Sequence, residues 1–452
     1  MAQISYIKYT DVKEENRMDA EFHRIVFYNH QLKYVKIEDI LTFLQYGISI
    51  EMNEIGVGYK IYRMNEIENM FCSQKILKYA DISKNELNTF KLEDRDVLFN
   101  RTNSFEFVGR TGIFRKFSEE NLVFASYLVR ARPNEKKVLP EYLTAFLNTK
   151  YGIFDIKRRA RISINQSNVS ASELKKIKIP LIDLSIQYQI KEFFEKSYQK
   201  QTQSQKLYRE AEEMLLAELG LLNYQVKHEL TFSTTKKEIE EAHRYDSEYF
   251  QPKYAEIIKK IEEYEGGYFK LSDKNYAKIS RGSLIPDVFY NSEKGTPYIR
   301  GADFSSGILG DNKLVYIDSC FEKTRETMVK KNDIVFSLIG SVGATAVVPT
   351  EFDNSFISNN TGKISVKNFN SIVLQIIFQS IVGKSQFEKE KTQTAQPKIS
   401  SDQVGNFKIP LIKPSIQKQI AEKIQESHKL RKESKELLEE AKRKVEEEIE
   451  KE

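Results

Sequence analysis

The densest run of positive charge in the sequence is Lys157, Arg158, Arg159 and Arg161. Polar side chains that can bind nucleic acid follow this run directly, and they are Ser163, Asn165 and Gln166. Arginine forms paired hydrogen bonds with phosphate oxygens or the guanine edge, whereas asparagine and glutamine pair with adenine. The run therefore has the composition to anchor and read DNA. The alternative is that its first three cations stabilise the negative end of a preceding helix, predicted over LPEYLTAFLNTKYGIFDIK.

Two other kinds of segment are candidates for the same contact. A polar segment follows the apolar strand DVLF, with a further cation after Gly109, and its members are Asn100, Arg101, Thr102, Asn103 and Arg110. Glycine turns, which allow a backbone to approach a phosphate closely, supply Gly47 and Ser49 in the first half, and Arg281 and Ser283 in the second. The alternative for both kinds is an ordinary turn that joins two strands.

Metal and catalytic chemistry have no comparable pattern. The two cysteines, Cys72 and Cys320, are far apart, and the five histidines show no ligand spacing. A methyltransferase acting on base amino groups needs a glycine-rich cofactor loop and an Asn/Asp-Pro-Pro-aromatic motif, and the sequence has neither. It also has no GxxxxGK phosphate loop. These observations favour a binding protein over an enzyme.

Composition places the chain among globular proteins. Of its 452 residues 30% are charged, the formal net charge is +5, and the mean hydropathy is -0.52. No run approaches the roughly 18 apolar residues that a membrane span needs, and the N-terminus lacks the features of a secretory signal. We therefore expect a cytoplasmic protein that has no contact with membranes.

The sequence is duplicated at a period of about 230 residues. IPLIDLSIQYQI from Ile179 recurs as IPLIKPSIQKQI from Ile409. Upstream, NRMDAEF matches HRYDSEYF, and DVLFNR matches DIVFSL. The register pairs 100–103 with Ser337 and Ser341, and it pairs the basic run with a second polar segment that contains Lys389, Lys391, Thr392, Gln393, Gln396 and Lys398. Because the second copy lacks the arginines, the two copies are expected to read different bases.

Each copy combines two kinds of structure. Short β-like runs with glycine, asparagine and aspartate turns predict an α+β domain. Apolar residues at helical spacing then predict a long helix, polar in its middle at SYQKQTQSQK and SHKLRKESKE. An antiparallel coiled coil of the two helices would place one polar centre against the other. The predicted segments are 1–16 (N-terminal), 17–182 (first α+β domain), 183–221 (first helix), 222–243 (connector), 244–412 (second α+β domain) and 413–452 (second helix).

Two α+β domains that each run through IPL-x-x-x-SIQ-x-QI into a long helix resemble the specificity subunits of type I restriction-modification enzymes. The resemblance covers essentially all 452 residues, and it also includes the paired D-V/I-L/V-F strands. It implies that the globular parts are target recognition domains, each reading one half of a split DNA site. It further implies that the helices form a ruler between the halves and dock two modification subunits.

The resemblance assigns the chemistry to partners. Modification subunits would bind S-adenosylmethionine and methylate double-stranded DNA, and restriction subunits would cleave it with ATP and Mg. This chain would bind no cofactor or metal of its own. The alternatives are a specificity subunit of a type IIB-like system, whose partner fuses nuclease and methyltransferase, a coiled-coil protein-binding adaptor, and a self-sufficient nuclease.

Overall fold

The computed structural model describes residues 9–15, 17–19, 22–23, 31–164, 166–225, 227–291, 294–304, 307–310, 314–318 and 328–451. The chain forms two compact units. Unit 1 comprises Met1–Thr202 and Leu430–Glu452, and unit 2 comprises Gln203–Lys429. The two longest helices each contribute residues to both units.

Helices and short strands alternate through both units. The helices are α1 Tyr9–Glu15, α2 Lys84–Phe90, α3 Pro140–Leu147, α4 Lys150–Arg159, α5 Ala171–Lys176, α6 Leu184–Glu218, α7 Lys236–Ala242, α8 Pro252–Glu262, α9 Ser371–Gln379, α10 Ile381–Glu390, α11 Ser401–Gly405 and α12 Pro414–Glu450. The strands of unit 1 are β1 Tyr34–Lys36, β2 Leu41–Tyr46, β3 Tyr59–Tyr62, β4 Ile67–Glu68, β5 Phe71–Cys72, β6 Tyr79–Ala80, β7 Val97–Asn100, β8 Thr102–Asn103, β9 Thr111–Ile113, β10 Val123–Phe124, β11 Leu128–Pro133, β12 Arg161–Ser163, β13 Gln166–Asn168 and β14 Lys178–Pro180. The strands of unit 2 are β15 Tyr268–Lys270, β16 Ala277–Arg281, β17 Tyr290–Asn291, β18 Thr296–Ile299, β19 Val315–Ile317, β20 Ile334–Ser337, β21 Thr345–Val347, β22 Phe356–Ile357, β23 Thr361–Val366 and β24 Lys408–Pro410.

The main sheet of unit 1 has the strand order β2-β11-β7-β9-β5-β4. Its centre is the predicted apolar strand, β7, in which all four residues are buried. Three smaller sheets, β10-β3-β6, β12-β13-β8 and β1-β14, complete the unit. The fully buried side chains of Tyr142 and Phe99 belong to the core beneath the main sheet.

Unit 2 repeats the central part of this arrangement. Its sheets have the orders β16-β23-β20-β21, β17-β19-β18-β22 and β15-β24. The predicted strand IVFS is β20, which is buried along its length and pairs with β23 as β7 pairs with β11. Both IPL junctions form a short strand, β14 or β24, immediately before a long helix. The α+β fold in two copies is therefore confirmed.

The long helices pair antiparallel within each unit. In unit 1, Ile190 and Phe194 of α6 share a core with Ala441 and Val445 of α12. In unit 2, the core contains Ala211 and Leu215 of α6 with Ile420 and Ile424 of α12. The predicted contact between polar centres is also present as two pairs of buried serines. Their hydroxyl oxygens are 2.8 Å apart in Ser197 and Ser434 of unit 1, and 3.0 Å apart in Ser204 and Ser427 of unit 2.

Replacing one serine of such a pair should destabilise the helix pair. Ser197→Ala leaves the buried hydroxyl of Ser434 without its partner hydroxyl, so we expect a loss of about 1–3 kcal/mol in the free energy of unfolding. Adding Ser434→Ala should cost much less than the first change, since it removes the unpaired group. Urea unfolding of both variants measures this, with exposed Ser185→Ala on the same helix as control. Equal, additive losses would contradict the expected coupling.

One local prediction differs from the structure. The segment LPEYLTAFLNTKYGIFDIK, predicted as a single helix, forms two helices, α3 and α4. The second helix begins after Thr149, because the hydroxyl of Thr149 caps it by accepting a hydrogen bond from the N–H of Gly152 at 3.2 Å. Ser380 caps α10 in the same way in unit 2. The predicted connector, 222–243, contains helix α7, and the hydroxyl of Thr235 caps this helix by accepting a hydrogen bond from the N–H of Glu238 at 3.2 Å.

Candidate nucleic-acid interface

Each unit contains the same backbone turn between two strands. We call residues 125–128 of unit 1 and 358–361 of unit 2 the central turns. Six main-chain hydrogen bonds in and beside each central turn correspond pair by pair between the units, and four of the six involve a residue of the turn itself. In unit 1 the bonds, donor first, are Gly47 to Leu128, Ile48 to Phe124, Ala125 to Tyr62, Leu128 to Ala125, Arg101 to Tyr127 and Val169 to Arg101. In unit 2 they are Gly282 to Thr361, Ser283 to Ile357, Ser358 to Ile299, Thr361 to Ser358, Leu338 to Asn360 and Ile399 to Leu338.

These bonds bring the predicted segments of unit 1 together. The glycine turn 47–49 lies against the central turn on one side, and the segment 100–103 lies against it on another. The third candidate joins through β13, whose Ser167 pairs with Asn103 of β8. Three segments that are far apart in the sequence therefore form one surface. In unit 2, the bridge between Ile339 and Lys398 makes the corresponding connection.

Both glycines at this surface are required by the close approach of backbones. A Cβ atom on Gly47 would lie 2.3 Å from the carbonyl oxygen of Ala125. On Gly282 it would lie 2.2 Å from the carbonyl oxygen of Ile357. Neither distance is sterically possible without moving the main chain, so the glycines hold the strand ends against the central turns. Ser49 is exposed beside this contact, and Ser283 is half-buried.

In unit 1 the exposed part of the surface is the hairpin β12–β13. Arg161, Ser163 and Gln166 are exposed on it, and Arg161 has no ion pair among the described residues. Two apolar side chains accompany them, since Ile162 is 72% exposed and Ile164 is 93% exposed. Asn165, also a predicted site residue, lies outside the described residues. The hairpin thus presents one cation, polar groups and aliphatic groups together.

The corresponding loop of unit 2 is closed by its own backbone. The N–H of Thr392 donates to Lys398 at 2.9 Å, and the N–H of Lys398 donates to the hydroxyl of Thr392 at 2.9 Å. Gln393, Gln396 and Lys398 are exposed on this loop. Its exposed polar groups are two amides, two threonine hydroxyls and one ammonium group, so its chemistry differs from that of the unit 1 hairpin. Ser341 is exposed nearby.

The first three cations of the basic run do not lie on this surface. Arg159 is 2% exposed and forms ion pairs with Glu15 at 2.9 Å, Asp155 at 3.1 Å and Glu173 at 3.2 Å. Burial lowers the pKa of Arg159, but the hydrogen bonds that its guanidinium donates to Glu15, together with the neighbouring carboxylates, outweigh burial and raise the pKa above its usual value. Arg158 pairs with Asp155 at 2.5 Å and donates to the carbonyl of Phe22 at 2.8 Å. Both side chains are occupied within unit 1.

The side chain of Lys157 also bonds to other residues of unit 1. Its ammonium group donates to the carbonyls of Glu106 at 3.0 Å and Val108 at 2.9 Å, and to that of Phe105. Burial lowers the pKa of Lys157 to about 8. These contacts fasten the loop that follows β8. Arg110 remains exposed, with its guanidinium 4.0 Å from the centre of the Phe107 ring.

Two predicted lysines of unit 2 have similar internal contacts. Lys391 forms an ion pair with Glu388 at 2.7 Å. The ammonium of Lys389 lies 4.7 Å from the centre of the Tyr249 ring, and burial lowers its pKa.

Three further predicted residues of the two units are buried. They are Asn100, Thr102 and Ser337. The amide of Asn100 donates to the carbonyl of Met64 at 3.3 Å, and the hydroxyl of Ser337 donates to Ile339 at 2.9 Å. Thr102 accepts a hydrogen bond from the side chain of Asn168 at 2.7 Å. These three residues support the surface from behind, and Asn103 is half-buried at its edge.

Two arginines that the sequence analysis left without a role hold the helix ends before the two loops. Arg17 bonds to Asp19 at 2.7 Å and donates to the carbonyl of Arg158 at the end of α4. Arg244 bonds to Asp246 and donates to the carbonyls of Glu390 and Lys391 at the end of α10, each at 3.1 Å. The repeated R-x-D of NRMDAEF and HRYDSEYF was the signal for this role.

The central turns themselves were missed by the sequence analysis. Their most exposed large side chain in unit 1 is Tyr127, at 39%. The sequence marks the central turns only by their place in the repeat. Ser126 and Asn359 are 233 residues apart, within the range of separations that the other matching segments show. No sequence motif marks the turns.

No cluster of potential metal ligands occurs among the described residues. Cys72 is buried, and burial raises the pKa of its thiol, whereas Cys320 lies outside the described residues. Within the described part of the chain, no helix is both long enough and apolar enough to cross a membrane.

Comparison with known proteins gives consistent matches. The family model of the type I restriction modification DNA specificity domain matches residues 29–213 and 269–443. Over 445 residues the chain is 26% identical to a candidate type I restriction enzyme MjaX specificity subunit from Methanocaldococcus jannaschii, and the match covers 96% of this chain and 95% of that protein. Over 144 residues it is 32% identical to the type I restriction enzyme EcoKI specificity subunit from Escherichia coli, covering 32% and 31%.

Solved structures also match along most of the chain. The type I restriction-modification S subunit from M. genitalium is 12% identical, with a TM-score of 0.45, and the match covers 93% of this chain and 98% of that one. The HsdS subunit from Thermoanaerobacter tengcongensis is 12% identical, with a TM-score of 0.30, and the match covers 94% and 98%.

Proposed function

Because this chain belongs to the family of type I restriction-modification DNA specificity proteins, we propose that it reads a two-part DNA sequence, one part with each unit. The two parts differ in base sequence, so the whole site is asymmetric. The chain is the specificity subunit of its complex, and it supplies sequence recognition to the subunits that modify and cleave DNA.

The observation that carries this proposal is the contrast between a shared backbone and different side chains. Six corresponding main-chain hydrogen bonds are made in and beside the central turn of each unit. The loops that lie beside the turns present different groups, Arg161 with Ile162 and Ile164 in unit 1, and Gln393 with Gln396 in unit 2. A common frame with exchangeable side chains is what two readers of different bases require.

Each exposed group has a known type of DNA contact. The guanidinium of Arg161 suits a guanine edge or a phosphate, and the amides of Gln166, Gln393 and Gln396 suit adenine. Exposed aliphatic groups such as Ile164 can contact a thymine methyl group in the major groove. We therefore assign base reading to the two loops, and assign Lys157, Arg158 and Arg159 to holding the unit 1 hairpin in place.

The reactions themselves would take place on partner subunits. We propose that modification subunits bind S-adenosylmethionine and dock on the long helices, and that restriction subunits use ATP and Mg. The chain would then act without catalytic residues, in the cytoplasm, where the DNA substrate is accessible to the complex.

Exchange of one loop tests the two-reader proposal. The full chain is co-expressed with its modification subunits, and methylated positions in the host DNA are then mapped by sequencing. Replacing 161–166 with the loop of a relative should change one part of the methylated sequence and leave the other part unchanged. Replacing 392–398 should change only the other part, because each loop belongs to a separate unit.

Each exchange serves as the control for the other. A change in both parts after one exchange, or methylation of a single uninterrupted sequence, would contradict the proposal. A stable complex that methylates no DNA would favour the protein-binding adaptor instead. DNA cleavage by the purified chain with Mg alone would favour the self-sufficient nuclease.

A further inference from the structure

One arginine in each unit bonds to the same point of the central turn. In unit 1, Nη1 of Arg101 donates to the carbonyl oxygen of Ser126 at 3.2 Å. In unit 2, Nε of Arg281 donates to the carbonyl oxygen of Asn359 at 2.5 Å. Ser126 and Asn359 are each the second residue of their central turn. A guanidinium is therefore fixed at corresponding places in the two units.

Arg101 and Arg281 do not occupy matching positions in the duplicated sequence. The counterpart of Arg101 is Leu338, because both donate their N–H to the third residue of the turn. The counterpart of Arg281 is Tyr46, since each directly precedes the glycine that contacts the turn. In unit 1 the ring of Tyr46 lies 4.9 Å from the guanidinium of Arg101. The two units thus place the same group at the same point from different strands.

We propose that Arg101 and Arg281 are functional counterparts that each bind a DNA phosphate group at the same place relative to their half-site. This inference rests on the proposed function. Bases differ between the two halves of an asymmetric site, whereas the sugar-phosphate backbone is the same in both. A contact that both units make in the same place, beside loops that differ, is therefore a contact with the backbone.

The chemistry of the two side chains suits this role. A guanidinium has five N–H donors in a fixed plane, so bonding one of them to the turn leaves others for phosphate oxygens. The main-chain bond also restricts the rotamers of the side chain, and this reduces the entropy lost when DNA binds. Arg281 is exposed, and Arg101 is half-buried with part of its side chain at the surface of unit 1.

The test measures how binding depends on salt. The full chain in complex with its modification subunits is titrated against a labelled duplex that carries the methylated sequence, over a series of KCl concentrations. Arg101→Leu should weaken binding about threefold to tenfold and lower the slope of log Kd against log salt by about 1. The methylated sequence should not change. Arg281→Leu should do the same through unit 2.

Two further variants separate a phosphate contact from support of the turn. Arg101→Gln keeps a donor for the carbonyl of Ser126 but removes the charge, so its salt slope should fall as in Arg101→Leu. Tyr46→Arg combined with Arg101→Leu moves the guanidinium to the strand that carries it in unit 2. This double variant should recover most of the affinity and the full salt slope.

Three results would overturn the inference. They are an unchanged slope in Arg101→Leu, a full slope in Arg101→Gln, and a relaxed methylated sequence in either leucine variant, which would indicate a base contact. The unaltered chain is the control for the proposed function. If it shows no salt-dependent binding to the methylated sequence, the proposed function fails and this inference fails with it.

Discussion

Replacing Arg159 with methionine is expected to destabilise unit 1 by about 3–5 kcal/mol, because removal of one partner from a buried ion-pair network leaves uncompensated charge. Three carboxylates pair with this guanidinium, those of Glu15, Asp155 and Glu173. Without it, they would share only the two cations of Arg158 and Lys176. Methionine keeps most of the apolar volume but supplies no donor. Hydrogen exchange of peptides from α4, measured by mass spectrometry on the full chain, should show the loss as faster exchange.

Arg161 provides the matched control, since it lies two residues further along the chain and is exposed. Arg161→Met should leave exchange in α4 unchanged, because surface substitutions usually change stability by less than about 0.5 kcal/mol. It should nevertheless reduce the affinity of the complex for the methylated sequence. Unchanged exchange in α4 of Arg159→Met would show that the ion-pair network does not stabilise unit 1.

Replacing Gly47 with alanine is expected to weaken specific DNA binding by about tenfold to a hundredfold. The new Cβ would lie 2.3 Å from the carbonyl oxygen of Ala125, so the strand end must move away from the central turn. Overpacking of this kind costs about 1–3 kcal/mol, and 1.4 kcal/mol is a factor of ten in affinity. Gly282→Ala should have the same effect through unit 2. Titration of the complex against the methylated duplex measures both effects.

Gly220→Ala controls for backbone strain without a steric clash. Gly220 has φ of 65°, where alanine is strained, but no atom lies within 4 Å of the new Cβ. It follows α6, away from the central turns in the sequence, and the variant should bind DNA as the unaltered chain does. Equal losses in all three variants would mean that general destabilisation, and not the position of the strand end, controls binding.

The two-copy architecture could be predicted from the sequence with few errors. Matching segments such as IPL at 179–181 and 409–411 lie about 230 residues apart, and helical apolar spacing follows each IPL segment. These signals are local, because helix formation and turn chemistry depend mainly on neighbouring residues. The break between α3 and α4 was missed because the helix-capping group of Thr149 competes with a continuous apolar pattern.

The candidate site could be predicted only in part. Sequence position alone does not separate Arg159 from Arg161, although one is buried among carboxylates and the other is exposed on a hairpin. The partners of Arg159 include Glu15, which is 144 residues away, and the counterpart arginines Arg101 and Arg281 are unrelated by the repeat. Local spacing thus specifies the duplication, the strands and the paired helices. The choice of which charged groups face solvent depends on contacts between distant segments, because burial and ion pairing arise only when those segments pack together.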